Sequence, residues 1–188
     1  MSFDDRTAAA IHLEIVNAFE SGQTPEIETL VRTYYPDVLR LAMSLLDDPG
    51  DAEDAAQETF IAASAGLDGF RGDSKIKTWL FGIAINVCRT QRRKQARRKR
   101  LQQTLQALTR LTNRPRTPEE LAARNEIGAR LRAAVSALDD KHRVPVVLFY
   151  LHDLPVPEIA RILETRPGTV YSRLHYARKQ LHGLIRDG

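Results

Sequence analysis

Near the end of the chain, Val170, Leu174, Ala177 and Leu181 recur every three or four residues, which predicts a helix with those four side chains inward. That spacing turns Ser172, His175, Tyr176 and Lys179 outward. Hydroxyl, imidazole and phenol groups hydrogen-bond base edges or pack on a thymine methyl, while Arg173, Arg178 and Lys179 suit flanking phosphates. Just before it, Ile159, Ala160 and Leu163 predict a shorter helix, with Ala160 small enough for a close, steep crossing. Pro167 and Gly168 are read as the turn and Thr169 as the cap, so the segment from Leu154 to Leu181 reads as a helix-turn-helix. An ordinary helical hairpin is the alternative; the Pro-Gly turn and basic outward face favour DNA.

A second group of polar residues lies upstream. Trp79, Ile83 and Asn86 stand at i, i+4 and i+7, so Trp79 and Asn86 share a helix stripe beside the loop Phe70 to Ser74. An Asn amide donates and accepts at once, which suits the edge of an unpaired base, and an indole offers a stacking face. Trp79 also fits as a plain core residue. From Arg89 to Arg100 the helix turns almost continuously basic (Arg89, Arg92, Arg93, Lys94, Arg97, Arg98, Lys99, Arg100), a pattern for tracking a phosphate backbone, although its distal part also fits a solvated extension.

Acidic residues gather earlier, at Asp47, Asp48, Asp51, Glu53, Asp54 and Glu58. With no histidine nearby and no second matching cluster, they do not read as a metal site. They suit either water or a basic partner helix. Cys88, the one cysteine, lies in an apolar stripe and is expected to be buried, and the five histidines are scattered, so no catalytic constellation emerges. We expect no enzyme, metal or cofactor.

The elements that must position these groups are helical. Strand-like alternation is absent, aromatic content is 6%, and the net charge is +4 with the positive charge concentrated after residue 88. The expected fold is all-α, with two small helical domains on a flexible linker. We assign 1–23 to an N-terminal extension with a short helix over Ala8 to Phe19, and 24–98 to a three-helix domain. Residues 99–116 are read as the linker and 117–188 as a four-helix domain. The first domain is expected to open after Thr24-Pro25-Glu26, to continue at Asp51 with Asp54 completing a capping box, and to restart at Ser74 with Ile76, Leu80, Ile83, Ala84 and Val87 inward. In the second, Thr117-Pro118 restarts helix, Leu131, Val135 and Leu138 mark the first helix and Val144 to Leu151 the next. Pro157 to Leu163 and Thr169 to Ile185 complete it. No apolar run is long enough to span a bilayer, and a cytoplasmic location is expected.

Three segments in this order resemble the extracytoplasmic-function (ECF) sigma factors of bacterial RNA polymerase. They are Tyr35-Pro36-Asp37-Val38 leading to Asp51 through Phe60, then Phe70 to Ser74 with Thr78 through Asn86, and finally the helix-turn-helix. The likeness runs from about Thr24 to Leu184. It implies a factor that binds core polymerase and directs promoter-specific initiation. The first domain would recognise and melt the minus-ten element through Phe70, Arg71, Gly72, Asp73, Ser74, Lys77, Trp79, Asn86, Arg89, Arg92 and Arg93. The second would read the minus-thirty-five element through Thr169, Tyr171, Ser172, Arg173, His175, Tyr176, Arg178 and Lys179. The resemblance assigns Asp51, Asp54, Gln57, Glu58 and Phe60 to the clamp helices of the largest polymerase subunit, adds the flap region as a second contact, and implies an anti-sigma protein as regulator. Tyr171, His175 and Tyr176 depart from the common pattern, so no promoter sequence carries over. The rival is a stand-alone helix-turn-helix regulator that binds an operator without polymerase.

Overall fold

The computed structural model describes residues 26–108 and 126–186, with side chains over 26–98 and 131–183. The expected helix over Ala8 to Phe19, the Thr24-Pro25 start and the Thr117-Pro118 restart lie outside those residues. Among the described residues every regular element is helical, and the chain divides into two compact units, Met1–Arg89 and Thr90–Gly188.

The first unit contains α1 (Ile27–Leu45), α2 (Pro49–Gly66) and the start of α3 (Ile76–Leu108). Helix α1 buries Leu30, Tyr34, Val38, Leu41 and Leu45, as its spacing predicts, and lies against α2. Pro36 sits on its exposed side, so the carbonyl four residues earlier that loses an N–H partner faces water. Helix α2 meets the core through Ala52, Ala55, Ala56 and Ala63, whose small side chains let the backbones approach closely, and through Phe60, which stacks on Tyr35 at 6.1 Å. Thr59, fully buried among them, donates its hydroxyl to the Ala55 carbonyl at 2.6 Å.

Several local readings shift. Helix α2 opens at Pro49 instead of Asp51, because Asp48 is the residue whose carboxylate accepts the Asp51 N–H, at 3.0 Å, and proline is well placed in a first turn. At α3 the first helical hydrogen bond runs from the Trp79 N–H to the Lys75 carbonyl, so Lys75, not Ser74, holds the cap position. The inward stripe of α3 is also rotated. Ile76, Leu80, Ala84 and Cys88 are buried as expected, but Phe81 and Ile85 join them, while Ile83 and Val87 are only half-buried. Lys99 to Leu108, read as tether, continues α3.

In the second unit α4 spans Glu126–Ala137 and α5 Asp140–Val146, which runs on into a π-helical turn, Val147–Leu151. Ala134 and Leu138 are buried, whereas Leu131 is exposed and Val135 half-buried, so α4 is also turned from the expected face. Helix α5 begins four residues before the expected Val144, because Asp139 caps it by accepting the His142 N–H at 3.2 Å. Arg143 is 1% exposed and donates to the Ser136 carbonyl at 2.5 Å, tying α5 to the end of α4. Helices α6 (Val156–Ile162) and α7 (Pro167–Arg186) follow, with Ile159, Ala160, Val170, Leu174 and Ala177 buried between them and α5.

The turn between α6 and α7 is not Pro167-Gly168. The Glu164 N–H reaches the Arg161 carbonyl and the Thr165 N–H the Ala160 carbonyl, with Glu164 at φ 48°, so α6 ends in a Schellman-type turn. Pro167 is the first residue of α7, where its missing N–H costs nothing, and Arg166 rather than Thr169 holds the cap position.

Two measurements test this packing. Ile85→Ala is expected to lower unfolding free energy by about 2–5 kcal/mol, and Ile83→Ala by well under half of that; equal losses in chemical denaturation would restore the unrotated stripe. Burial, and secondarily the Asp37 carboxylate, raise the Tyr34 hydroxyl to about 12. An unfolded tyrosine ionises near pH 10, so the stability this group supplies below that pH fades as the pH rises from about 10 towards 12. In Tyr34→Phe the fall of the urea midpoint across that window is expected to be shallower than in the parent.

Candidate nucleic-acid interface

In the first unit the rotation of α3 sets the site. With Leu80, Phe81, Ala84, Ile85 and Cys88 inward, the opposite stripe carries Trp79, Gly82, Ile83 and Asn86. Trp79 is half-buried, not a sealed core residue. Its indole lies between Phe70, whose ring centre is 5.1 Å away at 45°, and the end of α2, where a Cβ on Gly66 would meet Trp79 Cζ2 at 3.5 Å. The loop Phe70 to Ser74 is thus folded onto the base of the stripe. Gly72 holds φ +74°, a left-handed backbone that L side chains resist, which makes this glycine necessary to the bend. Arg71 and Asp73 are exposed and Ser74 is half-buried.

Two helical turns further along, about 10 Å by helix rise, Asn86 is exposed, and its Oδ1 accepts from Arg89 at 3.4 Å. An aromatic face, an amide and a guanidinium therefore follow one another along a single ridge. In the second unit Arg93, Lys94, Arg97 and Arg98 of the same helix are exposed cations. Two residues grouped with this site have other engagements. Lys77 lies on the far side of α3, its Nζ 2.6 Å from Asp37 Oδ2 and 5.5 Å from the Phe81 ring centre. Arg92 falls in the second unit, where its guanidinium pairs with Asp140.

Along α2, Asp54, Gln57 and Glu58 are exposed on one face and Asp51 is half-buried. Phe60 does not join that row, since it is 6% exposed against Tyr35. The row instead continues in Ile61, which is 71% exposed at i+4 from Gln57 and i+3 from Glu58. Sequence reasoning missed Ile61; its signal was a large β-branched residue on the polar face of an Ala-rich helix.

In the second unit α7 exposes Tyr171, Ser172, His175, Tyr176, Arg178 and Lys179, with Thr169 and Arg173 half-buried. The Ser172 hydroxyl is turned back to the Gly168 carbonyl at 3.0 Å, which leaves its lone pairs for an external donor. Tyr176 stands beside two imidazoles: His175, edge-on at 5.8 Å, and His142 of α5 at 6.4 Å. Asp139 lies 2.8 Å from His142 Nδ1 through Oδ1 and 3.4 Å from Lys141 Nζ through Oδ2. Desolvation, the largest single influence, works the other way, but Lys141 and His142 together hold the Asp139 carboxyl below its usual range.

A helical fold carrying a helix-turn-helix and a second exposed aromatic and basic ridge defines a DNA-binding protein. Residues 30–98 match the Sigma-70 region 2 family and residues 128–181 the Sigma-70 region 4 family. The chain is 29% identical over 178 residues to the ECF RNA polymerase sigma factor SigW of Bacillus subtilis, covering 92% of this chain and 95% of that protein. It is 30% identical to the RNA polymerase sigma-H factor of Pseudomonas aeruginosa, over 93% of this chain and 95% of that one. The sigma factor RpoE of Bartonella quintana, solved in complex with the anti-sigma factor NepR, superposes with a TM-score of 0.62 at 24% identity over 85% of this chain and 96% of that one. CnrH, solved with the cytosolic domain of CnrY, gives the same TM-score at 26% identity over 96% and 95%. The chain belongs to the ECF RNA polymerase sigma factors, and as such it directs promoter-specific initiation of transcription. Among the described residues no helix is long and apolar enough to cross a membrane.

The chain has a single tryptophan, so its fluorescence reports the loop contact directly. Phe70→Ala is expected to uncover Trp79 and shift its emission to the red without unfolding α3. An unchanged spectrum would mean that Phe70 does not cover the indole in solution.

Proposed function

We propose that the two exposed faces divide promoter recognition: the ridge of α3 with the Phe70 to Ser74 loop opens and holds the minus-ten element, and α7 reads the minus-thirty-five element in the major groove. The observation that carries the first half is the packing of Phe70 on Trp79, with Asn86 exposed on the same stripe. A base leaving the duplex loses stacking and pairing worth a few kcal/mol. Aromatic contact of about 1–3 kcal/mol, with hydrogen bonds to the Asn86 amide, offsets most of that. Arg89, Arg93 and the exposed cations beyond it lie along the adjoining phosphates and supply affinity without sequence choice. Lys77, held by Asp37, supports α3 from behind.

Polymerase docking falls to Asp54, Gln57 and Glu58, with Ile61 as an apolar centre within a charged rim, a composition suited to the basic clamp helices of the largest subunit. The flap region is the second polymerase contact. An anti-sigma protein is assigned as regulator, as in the solved complex of RpoE with the anti-sigma factor NepR. The factor works in the cytoplasm and carries out no chemical step of its own. Domain limits of 24–98 and 117–188 fit the two matched regions, with the basic end of α3 leading out of the first.

Run-off transcription with core polymerase and a promoter library tests this reading. Trp79→Ala and Asn86→Ala are expected to form closed complexes but to lose open complexes by roughly ten- to a hundredfold, the equivalent of about 1.4–2.7 kcal/mol. Permanganate reactivity at the minus-ten thymines separates the two states. Full strand opening by both variants would refute the capture site.

A further inference from the structure

We propose that His142 is a positioning residue for promoter selectivity: anchored by Asp139, it holds the Tyr176 ring in one orientation on the groove-facing side of α7. This inference rests on the reading that α7 enters the minus-thirty-five groove.

The sequence separates the three residues, and the fold of the second unit brings them together. Asp139 holds His142 by accepting its backbone N–H at 3.2 Å, and its carboxylate lies 2.8 Å from the ring's Nδ1. The ring is nearly buried in the first turn of α5, which packs against α7. With its main chain held by the Asp139 cap and its ring buried, the imidazole is a fixed wall and not a mobile surface group. Tyr176 leans on that wall at 6.4 Å and 47°, within the range of favourable aromatic pairs, and His175 meets it edge-on at 5.8 Å. Even so, Tyr176 remains 58% exposed, which leaves its hydroxyl and outer edge available.

An exposed tyrosine free to change rotamer contacts several base pairs weakly and discriminates poorly. One whose ring is fixed before binding meets a thymine methyl or a base-edge acceptor in a single geometry and loses little entropy on contact. Selectivity at the base pair under Tyr176 therefore depends on a residue that touches no DNA. Tyr171, equally exposed, makes no such ring contact with His142, so the same truncation of His142 leaves its contacts unaltered.

The test is selection of minus-thirty-five sequences from a randomised promoter by the full chain bound to core polymerase. Tyr176→Ala is expected to erase the preference at one base pair, about tenfold in the parent. His142→Leu, which keeps the buried volume but has neither the ring nor Nδ1, is expected to erase the same preference while changing those at other positions less than about twofold. His142→Phe restores the wall and is expected to recover most of it. If Tyr176→Ala leaves every preference intact, Tyr176 reads no base and the assignment of this face to the groove fails. If Tyr176→Ala erases the preference and His142→Leu retains it, only the positioning role is overturned. Uniform weakening at all positions in both His142→Leu and His142→Phe would also overturn it, since that pattern belongs to a structural residue.

Discussion

The rotational setting of α3 is the constraint from which the first unit's surface follows. A helix has one stripe to bury, and here that stripe runs through Leu80, Phe81, Ala84, Ile85 and Cys88. Once Phe81 and Ile85 are inside, Trp79 and Asn86 are carried to the opposite side, where the loop after α2 meets the indole. Turning the helix by one residue would bury Trp79 and present Phe81 in its place. The hydrophobic effect thus fixes which polar groups can function, although none of them contributes much to stability.

The same economy appears in the second unit through different contacts. Helix α5 is capped by Asp139, anchored by the buried Arg143 and covered by α7, so it forms a rigid platform beneath the recognition helix. A buried guanidinium is costly to desolvate, and the charge-assisted bond to the Ser136 carbonyl offsets part of that cost. Both units place most of the side chains proposed to contact DNA on helices, and the Phe70 to Ser74 loop that acts with them is folded onto α3. Rigid presentation matters here because a factor that melts DNA has to hold the product of melting in place while the duplex tends to close.

Within the family, the two regions are recognisable across chains that share under a third of their residues. On the outer face of α7 Tyr171, His175 and Tyr176 are all exposed, so in the proposed groove-bound arrangement shape and methyl contact contribute to selectivity beside the phosphate contacts. The apolar knob at Ile61 adds an exposed apolar centre to the acidic face of α2.

The sequence by itself determined the helical class, the two units, the inward face of α1, the outward face of α7 and the order of motifs that identify the family, because helical periodicity and short turns are local properties. It also pointed to Trp79, Asn86 and the Phe70 turn, whose spacing is set by one helix and the loop beside it. Only the tertiary structure decided the rest. Phe81 and Ile85 win the core over Ile83 and Val87 because the facing helices, not hydrophobicity alone, choose the stripe. Phe60 goes inward because Tyr35 lies opposite it, and Lys77 is taken up by Asp37, forty residues away in the chain. The turn before α7 forms at Glu164 in a left-handed conformation that residue type did not signal, where backbone hydrogen bonds to Arg161 and Ala160 outweigh the local preference. The support of Tyr176 by His142 is likewise invisible in the sequence, since it joins two helices whose contact only packing creates.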